Sequence, residues 1–204
     1  MTATSRLEKA QKTFTVVRLE LQRAIALEAL YARCASAPDI LETMEHSMEG
    51  HGFFMVRDAI HRDLTVTLMG IVERGQERTA CLGVLLRILD DAQVVDALKR
   101  SATTRKDADA FIAAARQAYS ALHVEQTMKA LRTLRDKVIV HVERGDVKHG
   151  AKVGDARKIL QKVFPIVQNL GRALGQGDLW LPAQQEQWVQ HADRFWRHVA
   201  RSRE

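Results

Sequence analysis

The chain has 204 residues, 46% of them apolar, and carries a formal charge of +6, a balance that supports a sizeable core, excludes a disordered chain and favours an acidic partner. No apolar run approaches the roughly 18 residues of a membrane span, and Met1-Thr2-Ala3-Thr4-Ser5-Arg6 lacks the apolar core of a secretory signal, so a cytoplasmic protein without a membrane partner is expected. Three prolines, eleven glycines and abundant Ala, Leu, Arg, Glu and Gln point to an all-α fold.

A first long helix is predicted over residues 5–35, with Phe14, Val17, Leu21, Ile25, Leu27 and Leu30 on its buried face. Ser36-Ala37-Pro38-Asp39 stops it and caps a second, shorter helix over 40–48. On that helix Glu42, Glu45, His46 and Glu49 project within about 100° of one another, like half of a carboxylate-bridged metal site. The sequence contains no Glu-x-x-His to supply the other half, so a solvated acidic face, or a contact for a basic partner, is favoured and no metal is expected. Gly50-His51-Gly52 turns the chain into a third helix over 53–73, ended near Gly75. A fourth covers 79–102, bent near Asp90-Asp91, and the polar residues 101–106 form the expected mobile loop. Cys34 and Cys81 form no Cys-x-x-Cys and read as small buried hydrophobes.

From 107 to 144 the pattern is helical, broken around His123, with Gly145 placed as the left-handed residue that ends it and His141 in the last turn. Val124, Met128, Leu131, Val138 and Val142 line one apolar face at helical spacing, and Arg135 falls inside that stripe, about 20° from Val124 and Val142. A permanent cation is costly to bury there without a partner or a purpose. Two readings follow. In the structural one, Arg135 pairs with Asp90 or Asp91 and His141 is an ordinary helix-end group. In the chemical one, a guanidinium and an imidazole share one helix in a basic region: residues 129–162 hold ten cations against four carboxylates. The pair stands about 9 Å apart along an ideal helix and about 120° around it, so two symmetry-related copies would be needed to build a cleft. There His141 would move a proton, Arg135 would hold developing phosphorane charge by bidentate hydrogen bonds, and Asp136 and Lys137 would orient the pair and bind phosphate.

Asp155 is read as the cap of a helix to residue 174 that Pro165 kinks. Gly175-Gln176-Gly177-Asp178 leads to a final helix over 183–201, striped by Trp188, Ala192, Phe195 and Val199 for docking on the bundle or on a second subunit. His191 and His198 are too far apart on it to bind one metal without a third ligand and read as surface groups. Trp180, Trp188 and Trp196 are accounted for by burial of this terminal helix more simply than by base stacking. No Gly-x4-Gly-Lys-Ser/Thr, Gly-x-Gly-x2-Gly or Gly-x-Ser-x-Gly occurs, which disfavours nucleoside-triphosphate and α/β-hydrolase chemistry.

The arrangement Arg135, Asp136, four further residues and His141 near a helix end resembles the Arg-x4–6-His signature of the HEPN superfamily. Leu131, Leu134, Arg135-Asp136-Lys137, Ile139 and His141, with the upstream Leu86-Arg87-Ile88-Leu89-Asp90, resemble its abortive-infection U-type branch, loosely over residues 10–145. The chain departs from many members at Asp136, where they have Asn, and at Val140, where they have a small residue. The resemblance implies an up-and-down helical bundle of HEPN type, expected over 1–150, and the helices read after it form an expected C-terminal extension over 151–204 packed on the bundle or dimer. It also implies a homodimer and, in many members, a metal-independent endoribonuclease acting as a toxin or in phage defence beside an antitoxin. Carried over by position, Arg135 and His141 are the catalytic pair with Asp136 as the polar residue after the Arg, and no cofactor is needed; the basic region around them supplies Lys137, Arg132, Arg144 and Lys148 as the expected RNA-binding cations. A non-catalytic HEPN-like module that binds a nucleotide, RNA or protein through the same face is the alternative.

Overall fold

The computed structural model describes residues 2–47, 50–73, 75, 79–101, 107–136 and 154–201. Among these residues the fold is all-α, a bundle of α1 (Ala3–Ser36), α2 (Pro38–Glu45), α3 (Gly50–Val72), α4 (Leu82–Ile88), α5 (Ala92–Arg100), α6 (Ala108–Val124), α7 (Gln126–Leu134), α8 (Asp155–Ala173) and α9 (Leu181–Arg201). None of the described helices is long and apolar enough to cross a membrane. The predicted loop residues 102–106, the end of the predicted helix at 137–144 and its glycine stop at 145 lie outside the described residues.

The bundle is organised on α1, whose 34 residues reach about 51 Å and pack on α3 and α9 along their length and on α4, α5 and α8 at other faces. Ala10, Phe14, Val17, Leu21, Ala24 and Ile25 recur every three or four positions and are buried, the register of a helix with one side in a core. The second extensive contact runs between α6 and α8. Ile159, Leu160, Val163, Ile166, Val167 and Leu170 of α8 share the same core as α1, α3, α4 and α6. Across α1 and α8 one charged pair is drawn into that interior: Glu28 is buried, and its carboxylate accepts from Arg157 Nε at 2.8 Å and Nη2 at 3.5 Å.

A smaller core of Cys34, Ala37, Ile40, Met44, Phe53 and Trp196 joins α2 and the end of α9 to the end of α1. The Trp196 indole N–H donates to the Leu30 carbonyl at 3.0 Å and its ring meets Phe53 edge to face at 5.4 Å. This anchor sets the rotation of α9. Its buried residues are Leu181, Ala192 and Trp196, while Trp188 and Phe195, expected in the buried stripe, are exposed. The last helix thus docks on its own bundle, one position around the wheel from the predicted face. Beside this core the Tyr31 and His61 rings stack at 4.4 Å. Burial lowers the His61 pKa, opposed by the charge of Asp58, and pushes the Cys34 thiol up to about 11. Both cysteines are buried free thiols.

Element ends correct several local expectations. Asp39 does not cap α2: Ala37 occupies that position without a side-chain bond, Pro38 takes the first helical turn, and Asp39 pairs with Arg33 at 2.9 Å. The predicted helix over 79–102 is two helices, because Asp91 accepts from Gln93 N at 2.9 Å and starts α5 afresh. Likewise Gly154, at φ 93°, holds the cap position of α8, and Asp155 lies inside the first turn, nearly buried. Pro165 stays within α8; it and Gln161, whose carbonyl loses its partner, are both exposed, where water can satisfy that oxygen.

Candidate functional site

The site begins with a break in the backbone. Residue Glu125 is extended, φ −64° and ψ 138°, so α6 ends at Val124 and α7 starts anew at Gln126. Val124 is 75% exposed and does not belong to the stripe assigned to it, because the helical phase is reset between the two residues. Glu125 also fixes the start of α7 to α8, its carboxylate accepting from Lys162 Nζ at 2.5 Å. Within α7, Met128, Leu131 and Leu134 are buried, a face one turn wide that points Arg135, four residues beyond Leu131, toward the bundle. The Arg135 side chain keeps 22% of its exposure. The backbone opens into a wider, π-type turn at Arg135 and Asp136.

Arg135 is met by two carboxylates. It pairs with Glu73, at the end of α3, and donates from Nε to the Asp136 Oδ1 at 2.7 Å, with Nη2 at 2.6 Å from the same oxygen. The structural reading that gave it Asp90 or Asp91 is corrected: Asp90 pairs with Arg116, and Asp91 takes Arg6 while capping α5. Glu73 is in turn held by Tyr119 of α6. The end of α3 leaves carbonyls without helical partners, and the Tyr119 hydroxyl donates to Val72 O at 2.9 Å and Glu73 O at 3.0 Å. The Tyr119 ring also meets His123 edge to face at 4.5 Å. One turn before Arg135, Arg132 Nη2 lies 3.3 Å from His123 Nδ1.

Glu73, Gly75, His123 and Arg132 line an open cavity of about 490 Å³ with mainly polar walls. Arg87, from the upstream stretch Leu86–Asp90, donates to the Gly75 carbonyl at 2.7 Å. Among the described residues, the ends of α3, α6 and α7 thereby bring a guanidinium, an imidazole and a carboxylate to the opening, with Arg135 behind Glu73 and Arg87 behind Gly75, a set with the hydrogen-bond donors to hold an anionic ligand. Bidentate donation to phosphate oxygens and proton transfer by a ring nitrogen are the chemistries this set can perform.

Of the residues assigned from sequence, the structure brings Arg132, Arg135 and Asp136 together; Lys137, His141, Arg144 and Lys148 lie outside the described residues. Sequence reasoning missed Glu73, His123 and Tyr119 as site members. His123 and Glu73 carry no local signal beyond marking helix ends, since their meeting with Arg132 and Arg135 is created by packing of α3, α6 and α7. Elsewhere, Glu42, Glu45 and His46 are exposed, Glu49 lies outside the described residues, and among the described residues no three His, Cys, Asp or Glu are grouped to hold a metal ion.

The family model HEPN AbiU2 matches the chain over residues 8–195, which extends past the 10–145 stretch of the sequence resemblance. No curated protein and no solved structure matches it.

Proposed function

The chain belongs to the HEPN AbiU2 family, the abortive-infection U-type branch of the HEPN superfamily, and from that premise we propose that it is a metal-independent endoribonuclease that cuts RNA at a composite site formed by two copies of the chain. His141 takes the proton of a ribose 2′-hydroxyl, the 2′-oxygen bonds to phosphorus, and the bond from phosphorus to the 5′-oxygen breaks as an imidazolium returns a proton to that leaving oxygen. Arg135 stabilises the charge on the pentacoordinate phosphorus, and Asp136 holds its guanidinium plane. The products are a 2′,3′-cyclic phosphate and a 5′-hydroxyl. Arg132, with Lys137, Arg144 and Lys148, holds the flanking phosphates, and an antitoxin protein restrains the activity.

The observation that carries this reading is the placement of Arg135, a half-buried cation fixed in orientation by Asp136 and by Glu73, the latter lining a polar cavity with Arg132 and His123. Two carboxylates on one guanidinium also favour a second reading, a non-catalytic module in which Arg135 is structural and the same face binds RNA, a nucleotide or a protein. Incubation of RNA with purified protein in chelator separates the two. Cleavage by the wild type, lost in both Arg135→Ala and His141→Ala, is expected; undiminished cleavage by both variants refutes the catalytic assignment. Salt-sensitive binding without cut ends selects the module.

A further inference from the structure

A second cavity, of about 610 Å³, opens between α8 and the start of α9, within the size range of pockets that enclose small organic ligands. Trp180 is its most unusual wall. The residue has φ 50°, a left-handed backbone that a bulky side chain rarely adopts, and its indole is 72% exposed. In the same connection Gly175 and Gly177 take positive φ without strain, and a glycine at 180 would do the same. Burial does not account for Trp180, contrary to the reading that gave all three tryptophans to helix docking. Strained backbone of this kind gathers at ligand sites, and here it carries an exposed aromatic that lines a cavity.

The support behind it is built. Asp178 accepts from Arg172 Nε at 2.9 Å and from Gln168 Nε2 at 2.5 Å, and Gln168 Oε1 accepts from Leu179 N at 3.1 Å, so the connection is tied to α8 immediately before Trp180. The Leu179 carbonyl accepts from Gln184 Nε2 at 2.7 Å, tying it to α9 as well. Phe164, Pro165, Leu181 and Pro182 give the cavity an apolar floor, while Gln161 and Gln185 line it with amides that make no hydrogen bond among the described residues. Among the described residues of the lining the one cation, Arg172, has its charge met by Asp178. A neutral, flat group with donors and acceptors on its edge fits such walls better than an anion does. We propose that this cavity captures a nucleobase, stacked on Trp180 and read along its edge by Gln161 and Gln185. The base belongs either to single-stranded RNA or to a free nucleotide. The RNA source rests on the reading of the chain as an RNA-acting protein; the base chemistry does not.

The test uses the full chain. Titration with each of the four nucleoside monophosphates, followed by protein fluorescence, reports the free-nucleotide source. Anisotropy of a labelled short single-stranded RNA, with and without a run of abasic positions, reports the RNA source. Trp180→Ala is expected to weaken binding about tenfold in whichever arm binds, and Trp180→Phe to retain most of it. The abasic strand should not distinguish Trp180→Ala from wild type. Trp180→Gly, which relieves the backbone strain, should melt no lower than wild type while binding as poorly as Trp180→Ala. Equal binding by wild type and Trp180→Ala in both arms overturns the proposal. Because nucleotide binding needs no cleavage, Trp180-dependent binding in a protein that cuts no RNA would refute the ribonuclease reading and leave this one standing.

Discussion

Arg157→Met should be far more damaging than Glu28→Gln, although the two substitutions break the same ion pair. The Glu28 side chain is 3% exposed and the Arg157 side chain 44%. Removing the guanidinium strands an ionised carboxylate among apolar side chains, a loss of about 3–5 kcal/mol for a buried charge without its partner. Removing the negative charge leaves a guanidinium that already reaches water and an amide oxygen still able to accept from its Nε, a loss of about 1 kcal/mol. For a chain of this length each kcal/mol moves the melting temperature by about 2–4 °C, so Arg157→Met should melt about 6–20 °C lower and Glu28→Gln only a few degrees lower. The double variant removes the stranded charge and should be more stable than Arg157→Met alone, a coupling that urea denaturation of all four proteins measures directly. If Glu28→Gln costs as much as Arg157→Met, or if the double variant is no better than Arg157→Met, the buried-charge argument fails.

Burial lowers the His61 pKa below its unfolded value of about 6.5, so above that pH the ring contributes nothing to the pH dependence, and as pH falls through it the unfolded chain takes up the proton first and stability drops; His61→Phe should flatten the stability profile between about pH 6.5 and the lower folded pKa, and an unchanged slope in that window would refute the assignment. Gly75 has φ 53° and Gly177 φ 71°, but a Cβ at 75 would strike the Cys81 sulfur whereas one at 177 meets nothing within 4 Å. Gly177→Ala should therefore cost about 1–2 kcal/mol of strain alone and Gly75→Ala about 1–3 kcal/mol more from the clash, and equal melting temperatures for the two would refute this.

Part of the candidate site was legible in the sequence, where its contacts are local. Arg135 stood out as a charge at a buried spacing from Leu131 and Met128, and it is indeed half-buried there, next to Asp136 in sequence and in space. The reason given for it was partly mistaken: Val124 does not share that face, since the break expected around His123 falls at Glu125 and resets the helical phase between Val124 and α7. Glu73, His123 and Tyr119 were not legible as site members, because each owes its place to the packing of another helix rather than to its neighbours.

Periodicity and composition alone determined that this chain is all-α, where its long helices lie and which face of α1 is buried, because apolar spacing and helix propensity act within a few turns of backbone. Only the tertiary structure decided which carboxylate meets Arg135, how α9 is rotated on α1 and what surrounds Trp180. Those outcomes depend on which surfaces close against each other, and side chains from distant parts of the chain, Trp196 against Leu30 or Arg157 against Glu28, select one closure over its neighbours by hydrogen bonds no local pattern encodes.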